Sequence, residues 1–218
     1  MTPLLALFDI DGTLLVGGDP LSNAAFLPAL RELYPVDPPA DAVSLVDHPG
    51  QTCQRIAREV LRVEGLADDA IDERLGAWCA LYAERYVELL MRAESTQWKA
   101  APHAHEALGR LSEAGIRLVL LTGNPEPMAR TRMARLGLDA FFPEGQGAFG
   151  CDAEERTELI RIARERAGGH PRERTVAVGD TPRDVSGAHA AGIRAISVTP
   201  GDDMNEAADT LLAWNRSR

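Results

Sequence analysis

The sequence predicts an α/β fold, a doubly wound parallel sheet carrying an inserted helical unit, and three observations predict it. Short apolar runs stop at polar turn clusters, helical stretches that end in glycine lie between them, and one connection is far too long for its place. An all-apolar run of four or five residues suits a strand buried on both faces, as in a parallel sheet covered by helices. Such alternation of strand and helix makes an α/β sheet.

The first run, Leu4-Leu5-Ala6-Leu7-Phe8, stops at Asp9-Ile10-Asp11-Gly12-Thr13. Arg117-Leu118-Val119-Leu120-Leu121 runs likewise into Thr122-Gly123-Asn124, and Thr175-Val176-Ala177-Val178-Gly179 into Asp180-Thr181-Pro182. Arg194-Ala195-Ile196-Ser197-Val198, after the helix-ending Gly192, reads as a fourth strand. Helices are predicted over 104–114, 127–136 and 153–167, each followed by glycine at Gly115, Gly137 and Gly168-Gly169. Ligands of such sheets sit beyond the carboxyl ends of the strands, where Asp9, Asp11, Thr122 and Asp180 would converge.

A strand–helix–strand unit takes about 30 residues. Asp9 and Thr122 are 113 apart, so the early connection holds an insertion of roughly 80 residues. Its content is helical: 21–33, 52–63, and a long stretch with Ile71, Leu75, Trp78, Tyr82, Tyr86 and Leu89 at spacings of three and four. It reads as a helical cap over 17–99, on a Rossmann-like core made of 1–16 and 100–218. Val16-Gly17-Gly18-Asp19-Pro20 and the stretch from Ser95 to Pro102 frame it as linkers, and the glycine pair would allow hinge motion.

Of 218 residues, 45% are hydrophobic and 26% charged, enough for a real core. Lys and Arg number 23 against 33 Asp and Glu, a net charge of −10 that leaves no basic footprint for nucleic acid. The start carries no Lys or Arg ahead of its apolar run, which Asp9 ends far short of a signal or membrane segment. Cys53, Cys79 and Cys151 form no CxxC pair and read as free thiols in a reducing cytosol. A cytoplasmic protein without a membrane partner is the expectation; the sequence does not fix its oligomeric state.

Asp9 and Asp11, one residue apart past a strand, bring two like charges together, which is costly unless a hard cation such as Mg²⁺ neutralises them. Asp180 would supply a further oxygen ligand, and Asp184, one helical turn on, would support the ion. With a metal present, one carboxylate can attack phosphorus while its neighbour protonates the leaving alkoxide. Thr122 and the amides of Gly123 and Asn124 could donate to the phosphoryl oxygens, and Arg156, 24 residues before Asp180, is the candidate cation.

Asp9-Ile10-Asp11-Gly12-Thr13-Leu14, Leu121-Thr122-Gly123-Asn124 and Gly179-Asp180-Thr181-Pro182-Arg183-Asp184 resemble the first, second and fourth motifs of the haloacid dehalogenase superfamily of phosphatases, with the cap inserted after the first. The resemblance implies Asp9 as nucleophile forming an aspartyl-phosphate and Asp11 as general acid, then base. It also implies Thr122 on the phosphate and Mg²⁺ held by Asp9, the Asp11 carbonyl oxygen and Asp180, with Asp184 supporting. The third motif departs from the pattern: a lysine about 25 residues before the fourth motif is usual in that family. The only lysine here is Lys99, and Arg156 stands nearest the expected place.

Gly50-Gln51-Thr52 leading into Ile56–Leu61 resembles the cap segment of phosphoglycolate-phosphatase-like members, and so does the loop Gly145–Gly150. Cys53 stands where an aspartate commonly follows the threonine. Thr52 and Cys53 are therefore the candidate cap contacts to substrate, with free amides at the start of a helix there suited to a small carboxylate. The implied activity is Mg²⁺-dependent hydrolysis of a small phosphorylated metabolite, phosphoglycolate leading. The competing readings are a phosphosugar mutase, a haloacid dehalogenase, a receiver-like phosphate acceptor and a non-catalytic phosphate-binding module.

Overall fold

A computed structural model describes residues 2–216. Four parallel strands form the central sheet in the order β4-β1-β5-β6: β1 is Leu5–Phe8, β4 is Arg117–Leu120, β5 is Thr175–Gly179 and β6 is Arg194–Ser197. The register sets Phe8 beside both Leu120 and Val178, so three strands end level with one another. This alignment brings their following turns together.

Both faces of β1 are buried, as the unbroken apolar run requires. Ala6 and Phe8 belong to one core with α4 (Ala104–Glu113), α5 (Glu126–Leu136) and α8 (Met204–Arg216). Leu5 and Leu7 belong to the other, with α6 (Arg156–Arg166) and α7 (Pro182–Ala190). Alternate side chains point to opposite faces, so one short strand fills two cores.

Between β1 and β4 lie α1 (Pro20–Leu33), α2 (Cys53–Val63) and α3 (Asp68–Arg92). Asp19 caps α1 by accepting from the Leu21 amide, with Pro20 at the first helical position. The predicted aromatic stripe is core: the Phe26 ring meets Trp78 and Tyr82 edge-on at 4.9 and 5.3 Å. The long α3 also packs against α5, so these helices rest on the sheet layers.

Two features were not expected. The linkers pair with each other, β2 (Leu15–Val16) antiparallel to β3 (Lys99–Ala100). Gly17 follows at φ 117°, where a Cβ would come 2.6 Å from the Gln97 carbonyl oxygen, a fit only glycine allows. The helix predicted from 153 starts at Arg156 instead. Its would-be first turn is drawn into other contacts, with Glu154 paired to Arg58 and Asp152 to Arg166.

The cysteines require a correction. Cys79 and Cys151 are joined in a disulfide, and only Cys53 is free. The two bonded residues are 72 apart in sequence, a pairing that only the packing of α3 against the loop before α6 creates.

Candidate active site

The turns beyond β1, β4 and β5 meet at a cavity of about 430 Å³ lined by Asp9, Asp11, Thr122, Gly123, Asn124, Cys53 and Arg156, among others. Asp9 is the first residue past β1 and Asp180 the first past β5; Asp184 lies in the first turn of α7. Carboxylate oxygens of Asp9, Asp180 and Asp184 lie within 4.8 Å of one another. Thr181 caps α7, and its hydroxyl and amide donate to Asp184 Oδ2 at 2.7 and 2.9 Å, which fixes that side chain.

Burial pushes the Asp9 carboxyl well above the usual carboxylate range, and the charges of Asp184 and Asp11 push the same way against the pull of Arg156. Burial and Asp184 likewise raise Asp180. Arg156 Nη2 lies 3.2 Å from Asp9 Oδ1 and also contacts Asp184, and these carboxylates outweigh burial in keeping its guanidinium charged. One arginine does not balance three carboxylates. Asp180 Oδ1 is moreover buried with no hydrogen-bond partner among the described residues. A crowded set of hard oxygens with an unsatisfied member fits a Mg²⁺-type cation. Gly12, at φ +79°, makes the cluster possible, because a Cβ there would fall 2.2 Å from Asp180 Oδ2.

The Asp11 side chain lies outside this cluster, half-exposed at the cavity. Asn124 Nδ2 donates to Asp11 Oδ2 at 2.5 Å and to Thr122 Oγ1 at 3.0 Å, tying the turn after β4 to the turn after β1. Thr122 is buried at the cavity wall. Gly123 touches the insert: its carbonyl accepts from the Cys53 amide at 2.8 Å, and a Cβ on it would meet the Gln51 carbonyl at 2.2 Å.

Thr52 does not reach the main cavity. Its hydroxyl caps α2 by accepting from the Arg55 amide and donates to the Glu154 carbonyl at 3.0 Å. The amides expected to hold a carboxylate at the start of α2 are partly used as well, Cys53 on Gly123 and Arg55 on Thr52. Cys53 does line the cavity, with its thiol pushed up by burial.

Arg132 escaped the sequence reading. It is buried on α5, where Nη1 donates to Asp11 Oδ1 at 3.0 Å, Nη2 to Asp19 Oδ2 at 2.5 Å and Nε to the Tyr86 hydroxyl at 2.7 Å. Tyr86 in turn donates to Asp19 at 2.5 Å. An arginine beside Met128, Ala129 and Met133 on the apolar face of a helix was the available signal.

Residues 4–192 match the family of haloacid dehalogenase-like hydrolases. A tyrosine-protein kinase of Mycobacterium tuberculosis is 29% identical over 90% of this chain, which spans only 62% of that relative's length. A phosphoglycolate phosphatase of Mesorhizobium japonicum is 30% identical, over 92% of this chain and 85% of its own. Among solved structures, CbbY from Rhodobacter sphaeroides in complex with phosphate superposes with a TM-score of 0.65 at 22% identity, covering 91% of this chain and 87% of that one.

Proposed function

The chain belongs to the haloacid dehalogenase-like hydrolases, and on that premise we propose that it is a phosphatase acting on a small phosphate monoester through an aspartyl-phosphate on Asp9. The observation that carries the reading is the convergence of Asp9, Asp180 and Asp184 in one cluster, with Asp9, Asp11 and Thr122 lining one cavity.

Mg²⁺ at Asp9, the Asp11 carbonyl oxygen and Asp180, with Asp184 behind them, would neutralise charge on the transferred group and keep Asp9 ionised. The chain's residues account for the rest. Asp9 attacks phosphorus along the line of the leaving oxygen. Thr122, the Gly123 and Asn124 amides and Arg156 take up charge on the equatorial oxygens. Asp11 gives its proton to the departing alkoxide and takes one back from the water that cleaves the aspartyl-phosphate. Arg156 fills the place of the lysine usual in this family, supplying a charge held at any working pH.

Phosphoglycolate is the leading substrate, supported by the similarity to phosphoglycolate phosphatases such as that of Mesorhizobium japonicum. A cavity of about 430 Å³ suits a compact ester. The deciding measurement is phosphate release from a panel of small phosphorylated metabolites with Mg²⁺ and with EDTA, for the wild type and Asp9→Asn. The reading requires Mg²⁺-dependent release that Asp9→Asn abolishes while leaving the circular dichroism unchanged. Undiminished hydrolysis by Asp9→Asn ends it, and phosphate release that EDTA leaves unchanged overturns the metal-dependent mechanism.

A further inference from the structure

Three sulfurs meet behind the cavity from three different segments. Cys53 opens α2, Cys79 lies midway along α3, and Cys151 sits in the loop joining Gly150 to α6. Cys79 and Cys151 are bonded, and Cys53 Sγ lies 3.8 Å from one and 3.9 Å from the other. The chain otherwise passes between insert and sheet layers through the β2–β3 ribbon alone. The Cys79–Cys151 bond is therefore a third covalent tie between the helical insert and the core.

Its position matters for the cavity. Tyr82, one turn beyond Cys79, lines the cavity, and so does Cys53. The loop holding Cys151 also docks α2, through Gln54 Nε2 on the Cys151 carbonyl at 3.3 Å and Arg58 on Glu154. A covalent bond here restrains the insert from swinging about the ribbon, the kind of hinge motion that gates a covered site.

We propose that these cysteines form a thiol–disulfide exchange site whose pairing sets whether the helical insert is strapped to the core. In the exchange, the Cys53 side chain first rotates from its broadside position, 3.8 and 3.9 Å from the two bonded sulfurs, into line with their bond; its sulfur then attacks Cys79 Sγ, a Cys53–Cys79 bond forms, and the Cys79–Cys151 bond breaks. Cys151 leaves with the electron pair and takes up the proton that Cys53 gave up. No net oxidation occurs. The product bridge joins α2 to α3 within the insert and leaves the core untied. Formation of either bridge from three thiols consumes one small-molecule disulfide, which is reduced to two thiols. Burial pushes the Cys53 thiol up and disfavours its thiolate, so the observed pairing exchanges slowly.

The test uses full-length Cys53→Ser and Cys151→Ser, each oxidised with glutathione disulfide and each compared with itself after dithiothreitol. Peptide mass mapping should show Cys79–Cys151 in the first and Cys53–Cys79 in the second. Oxidised Cys53→Ser should turn over a small phosphate ester about tenfold more slowly than its reduced form, and amide exchange at residues 17–21 and 95–99 should slow with it. Cys151→Ser should keep its two rates within about twofold. Wild-type protein held in a glutathione redox buffer until its pairings equilibrate should show both bridges.

Equal amide exchange in the strapped and reduced forms of Cys53→Ser overturns the proposal, as does failure of either bridge to form or a wild type confined to one pairing. The turnover arm rests on the phosphatase reading, whereas the amide-exchange arm does not. Absence of hydrolysis in every form, with exchange still following the bridge, sinks the phosphatase reading and leaves the strap standing.

Discussion

Arg132 grips Asp11 with a single nitrogen, Nη1, at 3.0 and 3.1 Å from its two carboxylate oxygens, while its Nη2 holds Asp19 at the entrance to α1. The residue proposed for proton transfer and the residue that caps the first helix of the insert therefore share one buried guanidinium. Removing Arg132 alone strands the buried carboxylate of Asp19, a loss of about 3–5 kcal/mol. The informative variant is Arg132→Met combined with Asp19→Asn. With Asp11 no longer held, its kcat/KM on an alkyl phosphate should fall about 100-fold. On p-nitrophenyl phosphate, whose leaving group needs no proton, the fall should be under about tenfold. Equal losses on both esters would assign Arg132 a purely structural part.

Arg156 stands among Asp9, Asp180 and Asp184, and its replacements separate charge from shape. Arg156→Met should lose activity about 100-fold or more and unfold at a clearly lower temperature, because like charges remain without their cation. Arg156→Lys restores the charge but not the fork, and should recover most of the rate if an ammonium reaches Asp9. Steady-state kinetics and thermal melts on both variants check this.

The raised carboxyls give the metal a signature in pH. A group whose folded pKa exceeds its unfolded value favours the fold at low pH and loses that contribution as pH rises through the folded value. Asp9 and Asp180 are such groups, held up chiefly by burial. Mg²⁺ requires them ionised, so the gain in Tm on adding Mg²⁺ should be near zero around pH 4, grow as pH rises through both folded values, and then level off. Melting curves across pH, with Mg²⁺ and with EDTA, measure it. A gain independent of pH would place the ion elsewhere.

His170 runs in the opposite sense. Burial lowers its pKa, and a ring nitrogen lies 3.0 Å from the Pro3 carbonyl oxygen. The unfolded chain binds a proton more readily, so stability should decline as pH falls below about 6.5 and flatten once the folded value is passed. His170→Gln should remove that slope from denaturant titrations.

The parallel sheet and the turns that bear Asp9, Thr122 and Asp180 were legible because buried strands must be apolar throughout and their chemistry starts where the apolarity stops. Arg156 was legible only through the family resemblance, which expects a cation about 25 residues before the motif that begins at Gly179. Arg132 was not, since its partners Asp11 and Asp19 lie more than a hundred residues away and nothing in local spacing joins them. The cysteines misled for a related reason: spacing carries no pairing information when the partners belong to different layers. Thr52 was read as a helix start and as a substrate contact, and its hydroxyl is committed to the first. The late start of α6 followed from long-range ion pairs of Asp152 and Glu154, which no helical propensity encodes.

Leu15 pairs with Ala100 and Val16 with Lys99, so the polypeptide departs and returns at one doorway. For an excursion whose ends already meet, the entropic penalty of closure rises only with the logarithm of its length. A module hung there can be enlarged, trimmed or exchanged while the parallel strands keep their register. The doorway thus lets the insert change in length at little entropic cost, so long as Asp19 and Tyr86 keep their hold on Arg132.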